Sequence, residues 1–177
     1  MPLSDMTANA LNPHEPQRQN NWLLYINIDG SDDLALALDS FPLPKRNVGK
    51  FELAHLNEKR HFAGNPVYDD MSIVFKDLVS NDIAGTIEDW WLEVHDETTG
   101  KIGFAADYKK FGYIVGYAPD GTLDRGFDLF GIFPTTFDPG EADQTAEDYT
   151  RINLTLSIDK VRRSTTPGVF PTQYPGS

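Results

Sequence analysis

Residues 51–77 read FELAHLNEKRHFAGNPVYDDMSIVFKD. Phe51 and Leu53 alternate with Glu52 and Ala54, the period-two pattern of a half-buried strand. Met71, Ile73 and Phe75 alternate with Ser72, Val74 and Lys76 and predict a second strand. Between them stand Asn57-Glu58-Lys59-Arg60-His61, the breaker cluster Ala63-Gly64-Asn65-Pro66 and the pair Asp69-Asp70. Hairpin connections usually run about 2–5 residues, so the segment reads as a long polar loop between two strands. Long ordered loops tend to carry function, often by reaching a neighbour.

Working outward, the same alternation recurs. Trp22, Leu24, Ile26 and Ile28 oppose Leu23, Tyr25, Asn27 and Asp29, a strand entered from a polar, proline-containing arm over residues 1–21. Asp29-Gly30-Ser31-Asp32-Asp33 predicts a turn. The leucines of LALALDS then alternate with alanines and predict a strand paired with the first, ended by Phe41-Pro42-Leu43-Pro44. One helix is predicted, about residues 81–97, with Asn81 or Asp82 as cap. Ile83, Ile87, Trp90, Trp91 and Val94 fall at helical spacing, and Glu88, Asp89, Glu93 and Asp96 face away. Trp90 and Trp91 read as the anchor of this helix on a sheet, since each ring removes a large apolar area from water.

Further on, Phe111, Tyr113, Val115 and Tyr117 alternate with Gly112, Ile114 and Gly116. The turn Ala118-Pro119-Asp120-Gly121 follows, and then Phe127, Leu129, Gly131 and Phe133. This is a hairpin with turn chemistry in place. Residues 134–144 predict an acidic loop. A last strand, about 149–161, sets Ile152, Leu154, Leu156 and Ile158 against Arg151, Asn153, Thr155, Ser157 and Asp159. Residues 164–177 read as a tail whose Val169, Phe170 and Tyr174 are placed to dock on a neighbour. The expected fold is mainly β, an antiparallel β-sandwich or open barrel with one flanking helix. The expected organisation is an arm over 1–21, one domain over 22–163 and a tail over 164–177, with no internal repeat.

At 177 residues the chain is long enough for one real core. It has no cysteine, hence no disulfide and no cysteine-based zinc site. No run is apolar enough to cross a bilayer, and the first residues do not form a secretory signal. A net charge of −12 argues against a phosphate-gripping surface. The same acidity keeps the protein soluble, and would let DNA slide past rather than adhere.

Catalysis is the sharpest rival reading. His55, His61, Asp69 and Asp70 are residue types that ligate metals, but their spacing matches no metal, phosphate-loop or nucleophile motif. Asp69 and Asp70 are adjacent and would point to opposite faces of a strand. The sequence therefore predicts no enzyme, no cofactor and no metal. A monomeric β-sandwich binding module, with the tryptophans in a ligand groove, is a further alternative.

The central stretch resembles the tail tube proteins of contractile-tailed bacteriophages. The matching residues are Asn57, Lys59, Arg60, Ala63, Gly64, Tyr68, Asp69, Asp70, Ile73 and Phe75. Arg18, Asn21 and Trp22 resemble the family's lead-in to its first strand, and residues 41–44 its Leu-Pro turn. Trp90 resembles the aromatic on its single helix, and Tyr108-Lys109-Lys110 the start of its hairpin. Leu129, Gly131, Phe133 and Pro134 resemble the hairpin's end, and residues 154–159 the terminal strand. The match runs in element order over residues 18–160, and the tail after Ser164 departs from the family's shorter form.

The resemblance implies a fold shared with the hemolysin-coregulated protein of type VI secretion and with tailocin tubes. It implies a non-enzymatic virion subunit, made and assembled in the cytoplasm of a bacterial host. Homohexameric rings stack into a tail tube that serves as the conduit for DNA ejection. Its partners are further copies of itself, the tail sheath, the tape-measure protein and the baseplate, with no membrane and no specific DNA contact. A baseplate or tube-initiating paralogue, or the inner tube of another contractile injection system, is the alternative within the family. Under this reading Asn57, Glu58, Lys59, Arg60, His61, Phe62, Asn65 and Tyr68 are the candidate ring-to-ring contact. Asp29, Asp39, Glu52 and Asp159 are candidate lumen-lining residues, although alternation alone does not assign which face lines a channel.

Overall fold

Runs that alternate become strands here because each has an apolar face to bury. The computed structural model describes residues 17–29, 31–55, 58–141, 145, 147–165 and 167–171. In chain order these form β1 (Trp22–Ile26), α1 (Ser31–Ala37), β2 (Leu38–Ser40), β3 (Arg46–His55), β4 (Glu58–Tyr68) and β5 (Met71–Lys76). Then come α2 (Ile83–Val94), β6 (His95–Asp96), β7 (Lys101–Ile102) and α3 (Ala105–Tyr108). β8 (Lys110–Tyr117), β9 (Leu123–Asp138), β10 (Arg151–Ser157) and β11 (Lys160–Arg163) complete the described elements.

One sheet of order β1-β8-β9-β10-β5-β2, with β11 also on β9, makes two layers. All its pairings are antiparallel. The hinge between the layers is β9. Its first part pairs with β8 and β11, and its last part, Phe133 to Asp138, pairs with β10. Gly131, with φ 63°, is the extra residue between the pairs Lys110↔Ile132 and Phe111↔Phe130. A left-handed glycine at such a bulge bends the strand and increases its twist, which lets one strand serve both layers.

The core fills the space between the layers. It contains Leu24 and Ile26 of β1, Ile114 of β8, Leu129 and Ile132 of β9, and the alternating residues of β5 and β10. Ile83, Ile87 and Trp90 of α2 close it from one side. Asp82 caps α2 by accepting from the Gly85 N–H at 2.9 Å. The expected antiparallel sandwich or open barrel is therefore the observed fold.

Several local expectations are corrected. Leu34–Ala37 is not strand: Ser31–Ala37 is helical, with Leu34, Ala35 and Ala37 buried and Leu36 exposed. Alanine and leucine favour helix, and Asp32 and Asp33 complement the positive end of the helix dipole in its first turn. Only Leu38–Ser40 is extended, and it pairs with β5 rather than with β1. The predicted helix is shorter than 81–97 and is not alone. The residues expected to begin the acidic loop at 134 continue β9 as far as Asp138. The strand expected over 149–161 breaks after Ser157 into β10 and β11, although Ile152, Leu154, Leu156 and Ile158 are all buried as anticipated.

The tail also turns back on its own chain. Ser164 donates its N–H to the Gly126 carbonyl, and Phe170 packs edge-on against Tyr113 at 4.8 Å. Phe170 is thus an internal contact rather than a free docking group. Val169 is exposed, and Tyr174 lies outside the described residues.

Candidate functional site

The segment read as a loop is half of a two-stranded hairpin. β3 and β4 pair with each other from Arg46↔Tyr68 to His55↔Glu58 and, among the described residues, with no other strand. Their register shifts between Val48 and Lys50, where β4 carries the extra residue in the Gly64-Asn65 stretch. Gly64 lies so close to Gly49 that a Cβ there would stand 3.1 Å from the Gly49 carbonyl oxygen. Pro66 is tolerated because such a ribbon has free edges. The breaker cluster thus marks a bulge in a strand, not a turn.

Register assigns the faces. Phe51 opposite Phe62 and Leu53 opposite Arg60 share one face. Lys50 opposite Ala63, Glu52 opposite His61 and Ala54 opposite Lys59 share the other. On the charged face Glu52 lies 3.4 Å from the Lys59 Nζ and 3.6 Å from the His61 Nδ1. On the apolar face the Phe51 and Phe62 rings stack at 5.6 Å, yet they remain 50% and 46% exposed, with Leu53 at 53%.

The hairpin is tied down at its base. Tyr68 packs on the core, the Arg46 guanidinium lies 5.6 Å from the Phe127 ring centre, and the Asn47 Nδ2 donates to Asp69 at 2.7 Å. Strands of ten and eleven residues reach roughly 30 Å at about 3.3 Å per residue. An isolated two-stranded ribbon is marginal in water, and this one presents an apolar face to solvent among the described residues.

Of the residues expected at the contact, Glu58, Lys59, Arg60, His61, Phe62, Asn65 and Tyr68 all belong to β4. Phe62 and Arg60 share its apolar face, Lys59 and His61 its charged face, and Tyr68 its anchored base. Asn57 lies outside the described residues, as does the His55 side chain. The rival metal set is not assembled: His61 faces Glu52, while Asp69 binds Asn47. Among the described residues no group of three or more His, Asp or Glu side chains is placed to hold a metal, and no helix is long and apolar enough to cross a membrane.

A second surface is the outer face of the β9-β10-β5-β2 layer. Arg151, Asn153 and Thr155 of β10 line up with Lys76, Val74 and Ser72 of β5 and with Asp138 and Thr136 of β9. Ser72 and Thr155 share a hydrogen bond of 3.2 Å, and the Asn153 amide donates to Asp138. Asp39 of β2 lies 3.4 Å from the Lys76 Nζ and 3.8 Å from the Arg151 Nε. The Arg151 guanidinium also donates to Asp148 at 2.9 Å, and that bond holds the Asp148 carboxyl below its ordinary range. The face is polar and charge-balanced. Its two edges are open: among the described residues β2 pairs only with β5, and the end of β9 only with β10.

The four candidate lumen residues do not share a face. Asp39 lies on the polar layer. Glu52 is on the hairpin, and Asp159 accepts from Lys109 at 2.6 Å between β10 and β11. Asp29 lines a cleft beneath α2 with Asp89, Glu93 and Lys110. The helix anchor is Trp90, 2% exposed, whose indole N–H donates to the Tyr108 carbonyl at 2.9 Å. Trp91 is only partly buried. The sequence reading found the polar side of β10, with Arg151, Asn153 and Thr155, but not the pairing that sets Lys76 and Asp39 beside it, because those residues sit on strands remote in sequence. It also missed exposed Ile102 and Phe104, whose signal was two apolar residues in a short polar connection.

Two sheet layers hinged on one strand, a single long helix against the core and a projecting hairpin make up a fold that resembles solved chains of contractile injection systems. A chain of the anti-feeding prophage cap, which terminates the tube, shares it: 14% identity, TM-score 0.68, covering 86% of this chain and 93% of that one. A chain of the sheath/tube terminator of an extracellular contractile injection system, PVC, matches with 15% identity and TM-score 0.68, covering 86% and 99%. A chain of the PVC sheath–tube complex matches with 14% identity and TM-score 0.63, covering 93% and 98%. At such identities the likeness is one of fold. No family model matches the sequence, and no curated protein matches it.

Proposed function

We propose that this chain is a structural, non-enzymatic subunit of the tube of a contractile tail or injection system. Copies assemble into hexameric rings that stack into a conduit, with a sheath outside, a tape-measure protein within and a baseplate below. The observation that carries this reading is the β3–β4 hairpin, a charged and apolar arm that finds no cover among the described residues of its own chain. The open edges of the polar layer support it, since ring closure pairs edges that would otherwise be an aggregation liability. The polar face between those edges suits a watery channel wall. Its cations Lys76 and Arg151 are paired with Asp39 and Asp148, so DNA or another charged cargo would pass without adhering. Assembly in a bacterial cytoplasm and a place in a virion or injection tail belong to this reading.

Negative-stain electron microscopy of the purified protein over a range of concentrations tests it. Rings or hollow tubes are expected, and dispersed monomers under every condition would count against it. A second reading, a tube-terminating or baseplate subunit, is favoured by the likeness to a cap chain and a terminator chain. It predicts single rings that do not stack, which the same micrographs distinguish.

A further inference from the structure

We infer that the surface receiving the hairpin is the outer flank of α2 and the adjoining β6–β7 turn on a second copy of the chain. This inference rests on the tube reading and specifies the contact within it. Arg46, Lys50, Lys59 and Arg60 against Glu52 and Glu58 make the hairpin cationic, in a chain of net charge −12. The body it projects from is therefore strongly acidic, and like charge discourages the arm from meeting another arm.

The α2 flank complements the arm in both charge and apolar content. Ile83, Ile87 and Trp90 face the core, so Glu88, Asp89 and Leu92 face out. Among the described residues no cation pairs with Glu88 or Asp89, and Leu92 is 43% exposed. Beside the C-terminal end of the helix, where the Gly103 N–H binds the Val94 carbonyl, Ile102 and Phe104 stand exposed. Leu92, Ile102 and Phe104 beside Glu88 and Asp89 are the counterpart of Phe51, Leu53 and Phe62, which share their face of the hairpin with Arg60 and have Lys59 next to it on the opposite face. Both surfaces face solvent within one chain. An arm on one copy seated on a different surface of the next is a heterologous contact, the kind that builds rings or filaments.

The absence of cysteine makes a clean test possible. Mixing full-length Phe62→Cys and Leu92→Cys proteins under mild oxidation should give disulfide-linked dimers of the two variants, whereas a Leu36→Cys control on exposed α1 should not. In parallel, Lys59→Glu with Arg60→Glu, and Glu88→Lys with Asp89→Lys, should each raise the concentration needed for assembly on the order of tenfold or more. Combining all four changes should restore assembly, and circular dichroism checks that each variant is folded. If wild-type protein assembles but the 62–92 disulfide forms no faster than the control and the combined variant gains nothing, the receiving surface is wrong while the tube reading stands. If wild-type protein never assembles, both fall.

Discussion

Phe51 and Phe62 face each other across β3 and β4 with stacked rings 5.6 Å apart, and water still reaches half of each. A stacked pair contributes only about 0.5–1.5 kcal/mol beyond its buried area, and here little area is buried. Replacing both by alanine should therefore leave the melting temperature of the isolated subunit nearly unchanged. The same change should abolish rings or tubes in electron micrographs. A large loss of monomer stability would show instead that the hairpin is part of the core's cooperative unit.

The bend in β9 depends on Gly131 at φ 63°. A side chain in the left-handed region costs about 1–2 kcal/mol. Gly131→Ala should lose that much in urea denaturation, with an unchanged slope. A neutral result would mean that the layers do not need this bend.

Asp128 is 3% exposed and accepts a 2.8 Å bond from the Arg162 Nη2 across the β9–β11 pair. Arg162→Ala strands a buried carboxylate, and roughly 2 kcal/mol of stability should go with it. Adding Asp128→Ala should return part of that loss, because the unpaired charge goes too. Strict additivity of the two changes would show that the pair is not coupled.

The Asp148 carboxyl is held below its ordinary range chiefly by the Arg151 hydrogen bond. A carboxylate whose folded pKa is depressed adds stability that is complete above its unfolded value and is lost as pH falls through the folded one. Asp148→Asn should therefore be less stable than wild type at neutral pH, with the difference shrinking at acid pH as the carboxylate becomes protonated. Urea midpoints at the two pH values check this. A difference that persists in acid would point to packing rather than charge.

Charge reversal at Lys59 and Arg60 should prevent stacking while the subunit stays folded. The Lys59–Glu52 pair is exposed and contributes little to the fold. Tubes of unchanged length in that variant would remove β4 from the ring-to-ring contact.

Much of the fold was legible because alternation is a local property with one physical cause. Trp22, Leu24 and Ile26, Met71, Ile73 and Phe75, and Ile152, Leu154 and Leu156 alternate because one face of each strand had to leave water. Ile83, Ile87 and Trp90 recur at helical spacing for the same reason. The misreadings fall where the local signal was ambiguous. LALAL fits both periods, and its helix was decided by the burial of Leu34, Ala35 and Ala37 against neighbours distant in sequence. Ala63-Gly64-Asn65-Pro66 signals a break, and a break in an otherwise continuous strand is a bulge.

The amino-acid sequence by itself determined the class of fold, the face each core strand buries, the helix with its Trp90 anchor and the chemical character of residues 57–68. Only the tertiary structure decided that those residues form a projecting arm and that Asp39, Glu52, Asp159 and Asp29 lie on separate surfaces. It alone gathered Lys76, Arg151 and Asp39 onto one polar face with open edges. The reason is physical. Periodicity records which side of an element avoids water, while the cover for each side comes from chain far away in sequence or from another molecule.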